Sequence, residues 1–176
     1  GMPTTMSMST AGVLSGTPLN ADVGTHNVVV TATDSATPAG SVSDTFVVTV
    51  TNTNDAPTVA TVIADASTAE DALYSVDISA NFADVDVGDV LTYTATGMPT
   101  TMSMSTAGVL SGTPVNADVG TYTIVVTATD SATSAGSVSD TYVLTVTNTN
   151  DAPTVATVIA DAISLEDSLY SLDVSS

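Results

Sequence analysis

Carboxylates are the main groups in this 176-residue chain that could do chemistry, and the densest set lies in Asn81–Asp89, NFADVDVGD. Asp84, Asp86 and Asp89 alternate there with apolar residues, and Gly88 permits a tight turn. Three such groups within six residues repel one another: two unit charges 4 Å apart cost about 4 kcal/mol at an effective dielectric near 20. The chain holds 19 Asp and Glu, no Lys or Arg, and a formal net charge of −19, so it has no internal countercharge. Protonation or a bound cation must offset the repulsion, and at neutral pH the cation is the expectation. Oxygen-only ligands select hard ions, and several carboxylates with carbonyls suit Ca²⁺ better than Mg²⁺. The plainer alternative is a solvated acidic loop.

Three further acidic motifs recur along the chain. Asn52–Asp55, NTND, stands just before Pro57, and its copy Asn148–Asp151 stands before Pro153. The pair Glu70-Asp71 has its copy in Glu166-Asp167. Asp130, in TATDSA, has its copy in Asp34.

Composition removes several function classes. Without Lys or Arg nothing can neutralise a phosphate backbone, which excludes nucleic acid. The same charge argues against anionic membranes. Zero cysteine excludes disulfides, thiol catalysis and zinc–thiolate sites. No Ser–His–Asp or Cys–His arrangement can be assembled in the complete repeat, 55–150, which has no His or Cys; the chain's only histidine is His26. A carboxylate-pair glycosidase is the one enzyme class left, and it needs a cleft with aromatic platforms; the chain has no Trp and 4% aromatics. No enzyme is expected. The apolar content of 43% argues against disorder, and no apolar run is long enough to cross a bilayer.

The elements that must position these groups come in repeats. Gly1–Pro18 recur as Gly97–Pro114, a period of 96, and the two copies differ at only 14 of 80 compared positions. A period near 96 is a domain-sized unit rather than a solenoid turn. Phased on TNTNDAP, residues 1–54 are the back part of one repeat. Residues 55–150 are a whole one, and 151–176 are the front part of a third. Thr, Val, Ile and Tyr dominate, and apolar residues alternate with period 2, as in Tyr122, Ile124, Val126 and Ala128. The pattern predicts about seven strands per repeat, near 59–64, 72–79, 90–96, 101–105, 108–111, 120–129 and 138–148. That reads as an all-β, Greek-key antiparallel β-sandwich.

Together these motifs resemble cadherin repeats, most closely the bacterial, dystroglycan-type cadherin-like repeats. Leu91–Val146 also resembles the immunoglobulin-like repeats of large bacterial surface proteins. The resemblance covers essentially the whole chain. It implies calcium at each domain junction, held by an early glutamate, a DxNDN linker, a DxD and a later Asp of the next domain. Glu70 and its copy Glu166 fall at the early glutamate. Asn54 and Asp55, and likewise Asn150 and Asp151, fall at the central ND of the linker. Asp84 and Asp86 match DxD, with Asp89 beside them, and Asp130 matches the later Asp. The linker's first Asp is Asn52 here, its last Asn is Ala56, and the LDRE motif is absent, with Val115-Asn116-Ala117-Asp118 nearby. One or two ions per junction are therefore expected rather than three.

The expected role is a calcium-binding structural or adhesive repeat at a bacterial cell surface or outside the cell, whose ions stiffen a stalk. The alternative is a carbohydrate-recognition accessory module of a secreted protein. Threonine arrays such as Thr145–Thr149 also admit glycan or ice contact, although alternating threonine is ordinary on an exposed sheet face. His26, whose counterpart is Tyr122, and the methionines Met6, Met8, Met102 and Met104 are expected to be packing residues. Residues 1–54 lack the first strands of their sandwich and 151–176 carry two of them. Head-to-tail association by strand complementation is therefore expected, with Glu166 of one molecule near Asn54 and Asp55 of the next.

Overall fold

In the computed structural model the described residues are 1–175, and all their extended elements are β-strands. The leading part forms β1 (Met6–Met8), β2 (Leu14–Gly16), β3 (Gly24–Thr33) and β4 (Ser41–Val50). The central part forms β5 (Thr58–Val59), β6 (Ala66–Ala69), β7 (Tyr74–Asp77), β8 (Phe82–Ala83) and β9 (Thr92–Thr96). It continues with β10 (Met102–Met104), β11 (Val109–Gly112), β12 (Gly120–Thr129) and β13 (Ser137–Thr147).

Two sheets of the central part face each other. One has the order β6-β13-β12-β9, with β6 parallel to β13 and the remaining pairs antiparallel. The other has the order β10-β11-β7, and β5 and β8 form a separate antiparallel pair. The period-2 pattern explains the packing. Ile124, Val126 and Ala128 of β12 and Tyr142, Leu144 and Val146 of β13 are buried, alternating with more exposed neighbours. All of these but Val146 share one core cluster with Leu110, Met102, Ile78 and Phe82. Phe82 and Tyr93 pack with ring centroids 5.8 Å apart and tilted by 57°, worth about 0.5–1.5 kcal/mol beyond the area they bury.

The expected strand at 59–64 is not formed as one piece. β5 ends at Val59, the chain crosses to a second pairing, and β6 begins at Ala66. Distant partners hold the crossing. The N–H groups of Ala60 and Thr61 both donate to the Asn81 carbonyl. The Ile63 N–H donates to Asp140 Oδ2 at 2.7 Å, and the Val143 N–H to Asp65 Oδ1 at 2.8 Å. One opening segment therefore serves two pairings, β5 with β8 and β6 with β13.

The leading hairpins repeat the registers of the central ones: Met6 lies opposite Gly16 as Met102 lies opposite Gly112, and Gly24 opposite Val50 as Gly120 opposite Val146. Among the described residues β3 and β4 pair only with each other. Phe46 is 41% exposed, whereas its counterpart Tyr142 is 2% exposed. Residues 151–175 contain no strand, and Ile163 and Leu169 are almost fully exposed.

Candidate metal centres

The loop between β8 and β9 builds the first centre. Its Asp86 N–H donates to Asp84 Oδ1 at 2.9 Å, and the Asp89 N–H to the Asp86 carbonyl at 3.3 Å. Gly88, at φ +104°, lets the chain reverse there. One carboxylate oxygen each from Asp84, Asp86 and Asp89 lies within 4.8 Å of the other two. Asp89 Oδ1 accepts from Ser131 Oγ at 3.2 Å, which ties this loop to the turn after β12.

Asp130 sits at the end of β12 and is buried. Its Oδ1 accepts from the Ala132 N–H at 3.0 Å; its Oδ2 accepts from the Gly136 N–H at 2.8 Å and from Asn54 Nδ2 at 3.1 Å. Desolvation pushes its pKa up, but the hydrogen bonds from Asn54, Gly136 and Ala132 outweigh it and hold the carboxyl below the ordinary 3.8. The linker docks on this frame. Asn54 Nδ2 also donates to the Ser134 carbonyl at 3.3 Å, and the Asp55 N–H donates to Asp86 Oδ2 at 2.7 Å. Gly136 makes room for it, since a Cβ there would stand 2.6 Å from Ala56 Cβ. From the leading repeat, Asn20 Nδ2 donates to Asp55 Oδ2 at 2.8 Å.

Four buried oxygens of this end have no hydrogen-bond partner: Asn54 Oδ1, Asp84 Oδ2, Asp86 Oδ1 and Asp89 Oδ2. A buried acceptor left unpaired costs roughly 1–3 kcal/mol, and more when charged. The donor set is all oxygen and mostly anionic, and its three carboxylates are gathered at one place. That is the chemistry a hard divalent cation requires, so these residues fit the ion that the acidic motifs led us to expect.

The second centre lies at the far end of the sandwich. The eleven residues of β13 separate the two ends by about 35 Å, at about 3.4 Å per residue. Glu70, just after β6, is 1% exposed. Its Oε1 accepts from the Thr149 N–H at 2.7 Å, and its Oε2 has no partner. Carboxylate oxygens of Glu70, Asp71 and Asp151 lie within 4.8 Å of one another. Asp151 Oδ2 also accepts from Asn116 Nδ2. Asn150 is exposed next to it and donates through Nδ2 to the Asp151 carbonyl at 3.4 Å.

The site residues named from sequence thus fall into two groups. Asn54, Asp55, Asp84, Asp86, Asp89 and Asp130 share one end of the sandwich, and Glu70, Asn150 and Asp151 share the other. Glu166 joins neither; it is exposed in the trailing segment. Sequence reasoning missed Asn20 and Asn116, which grip the linker carboxylates one period apart in matching 3₁₀ turns, Asn20–Asp22 and Asn116–Asp118. The recurring NAD triplet was their only signal. His26 Nε2 lies 2.7 Å from the Asp22 carbonyl on the leading hairpin. Met102 is buried in the core.

Among solved structures, mouse cadherin-23 extracellular domains 22–24 align at a TM-score of 0.64, with 19% identity, over 82% of this chain and 50% of that one. The extracellular cadherin domains 1–5 of protocadherin gamma B2 align at 0.63, with 17% identity, over 83% of this chain and 31% of that one. Domains 1–3 of protocadherin gamma C5 align at 0.54, with 19% identity, over 80% and 51%. The chain spans about a third to a half of the length of these proteins, and at such identities the likeness is one of fold: a cadherin-like β-sandwich. No curated protein matches the sequence. The sequence profile described as "Putative Ig domain" matches residues 1–51 and again 56–147, on either side of the NTND linker. With most of its length matched by that profile in two tandem stretches, the chain belongs to the Putative Ig domain (He_PIG) family.

Proposed function

We propose that this chain is a structural, non-enzymatic repeat segment that binds Ca²⁺ at the junctions between its sandwiches and thereby stiffens an extended extracellular or cell-surface stalk. The observation that carries this reading is the set of four unpaired buried oxygens at the first centre, in a chain with no lysine or arginine. Asn54, Asp84, Asp86 and Asp89 would hold the ion, with Asp55 and Asp130 fixing the linker against the sandwich. When bound, the ion supplies the positive charge that the side chains lack. The linker then cannot leave without exposing three mutually repelling carboxylates, and this couples the hinge to the ion. Among the described residues no helix is long and apolar enough to cross a membrane. Thermal unfolding in EDTA and in millimolar Ca²⁺, paired with limited proteolysis near 52–58, tests the reading. Calcium should raise the melting temperature and protect the linker; equal melting temperatures and equal cleavage would refute it.

The same reading extends to a partner for the 176-residue chain. In the central sandwich Leu144 of β13 lies opposite Ala66 of β6, and Leu110 of β11 opposite Val76 of β7. One period away, Val48 of β4 and Leu14 of β2 are the matching positions on uncovered edges, and Ala162 and Leu172 are the matching positions in the trailing segment. The trailing segment of a second copy would cover the leading hairpins head to tail. Glu166 would then stand beside Thr53 as Glu70 stands beside Thr149, next to Asn54 and Asp55. Light scattering across concentrations tests this: association lost on deleting 151–176 is expected, and a monodisperse monomer throughout would contradict it.

A further inference from the structure

Calcium at the second centre gives Glu70 and Asp151 a role but leaves Asp71 without one. Asp71 occupies the left-handed region at φ +60°, where Asn and Asp are the best tolerated residues with a side chain beyond Cα. Its N–H donates to the Pro114 carbonyl at 2.8 Å, while the N–H of Glu70 donates to the Thr147 carbonyl at 2.9 Å. Two consecutive residues are therefore clamped to two different segments, and their carboxylate oxygens come within 4.8 Å of each other and of Asp151. Asp71 and Asp151 are exposed, and the chain has no Lys or Arg to place among the three carboxylates. One of the three is not solvated: Glu70 is 1% exposed and its Oε2 is buried without a hydrogen-bond partner. Asn116 occupies one oxygen of Asp151, Oδ2, and leaves the other free.

We propose that Asp71 is a third carboxylate ligand of a divalent cation held with Glu70 and Asp151. This end of the sandwich then captures its ion with one repeat and the linker that follows it, before any residue of a succeeding repeat contributes. The inference rests on the calcium reading above and assigns it a ligand outside the set derived from the sequence. The trailing pair Glu166-Asp167 shares the left-handed second residue, with Asp167 at φ +57°.

The test is calcium calorimetry on the full chain in three forms: unaltered, Asp71→Asn and Asp86→Asn. Asparagine keeps the size of the side chain and adopts the left-handed conformation readily, so Asp71→Asn should melt in EDTA no lower than the unaltered chain. It should weaken one class of Ca²⁺ site at least tenfold and leave untouched the class that Asp86→Asn removes. Unchanged calcium affinity and stoichiometry in Asp71→Asn, with a site lost in Asp86→Asn, would overturn the inference while sparing the wider reading. An unaltered chain that binds no Ca²⁺ would overturn both.

Discussion

Asp86→Asn should stabilise the chain without calcium and blunt its response to calcium. Asp86 is buried; its Oδ2 accepts the Asp55 N–H at 2.7 Å and its Oδ1 is unpaired. Asparagine retains an oxygen for the linker hydrogen bond and deletes one charge. That charge stands within 4.8 Å of carboxylate oxygens of both Asp84 and Asp89. Each pair costs about 3.5 kcal/mol at an effective dielectric near 20. Asp84 and Asp89 are only partly buried, so solvent screening brings the relief to about 1–3 kcal/mol in all. At about 4–8 °C per kcal/mol for a domain of this size, the variant should melt roughly 4–24 °C higher in EDTA. With calcium a hundredfold above its dissociation constant, ligation adds about 2.7 kcal/mol to the native state. The unaltered chain should then gain roughly 10–20 °C on moving from EDTA to calcium. The variant should gain less than half as much. Differential scanning calorimetry in the two buffers reads both numbers. A variant that melts lower in EDTA and keeps the full calcium shift would show that Asp86 is a packing and hydrogen-bonding residue only, and the electrostatic reasoning would be wrong.

Other consequences follow from the same geometry. Gly136→Ala would put a Cβ 2.6 Å from Ala56 Cβ and 3.1 Å from Asp130 Oδ2, so it should destabilise by about 1–3 kcal/mol and speed protease cleavage at 52–58; urea melts and digestion kinetics check it. The depressed pKa of Asp130 means its contribution is fully present above the ordinary value of 3.8 and is lost as pH falls through the lower folded value. The melting-temperature gap between the unaltered chain and Asp130→Asn, measured in EDTA, should therefore hold at pH 5 and shrink toward pH 2. A gap independent of pH would contradict the hydrogen bonds assigned to that carboxylate.

Much of this was legible in the order of residues. The alternation in Gly120–Thr129 and Ser137–Thr147 marks the two longest central strands, because a strand with one face in the core repeats every second residue. The opening segment was not legible, because its break at 60–65 depends on Asn81, Asp140 and Val143, far along the chain. The spacing of Asp84, Asp86 and Asp89 shows a cluster, since neighbours in a short loop cannot separate far. That Glu70 belongs to the opposite end from Asp84 follows from the parallel run of β6 beside β13, which no local pattern encodes. Asn20 and Asn116 were invisible as linker clamps because each partner carboxylate lies 35 residues away. Gly136 reads as a turn residue, and only the docked linker shows that its missing side chain makes room for Ala56.

Direct calcium titration of the full chain, by calorimetry at neutral pH and moderate ionic strength with magnesium as the comparison, bears most immediately on the central claim. Saturable binding of Ca²⁺, stronger than that of Mg²⁺ and abolished at one class of site by Asp86→Asn, is the predicted result. Heats indistinguishable from dilution at millimolar calcium would contradict it.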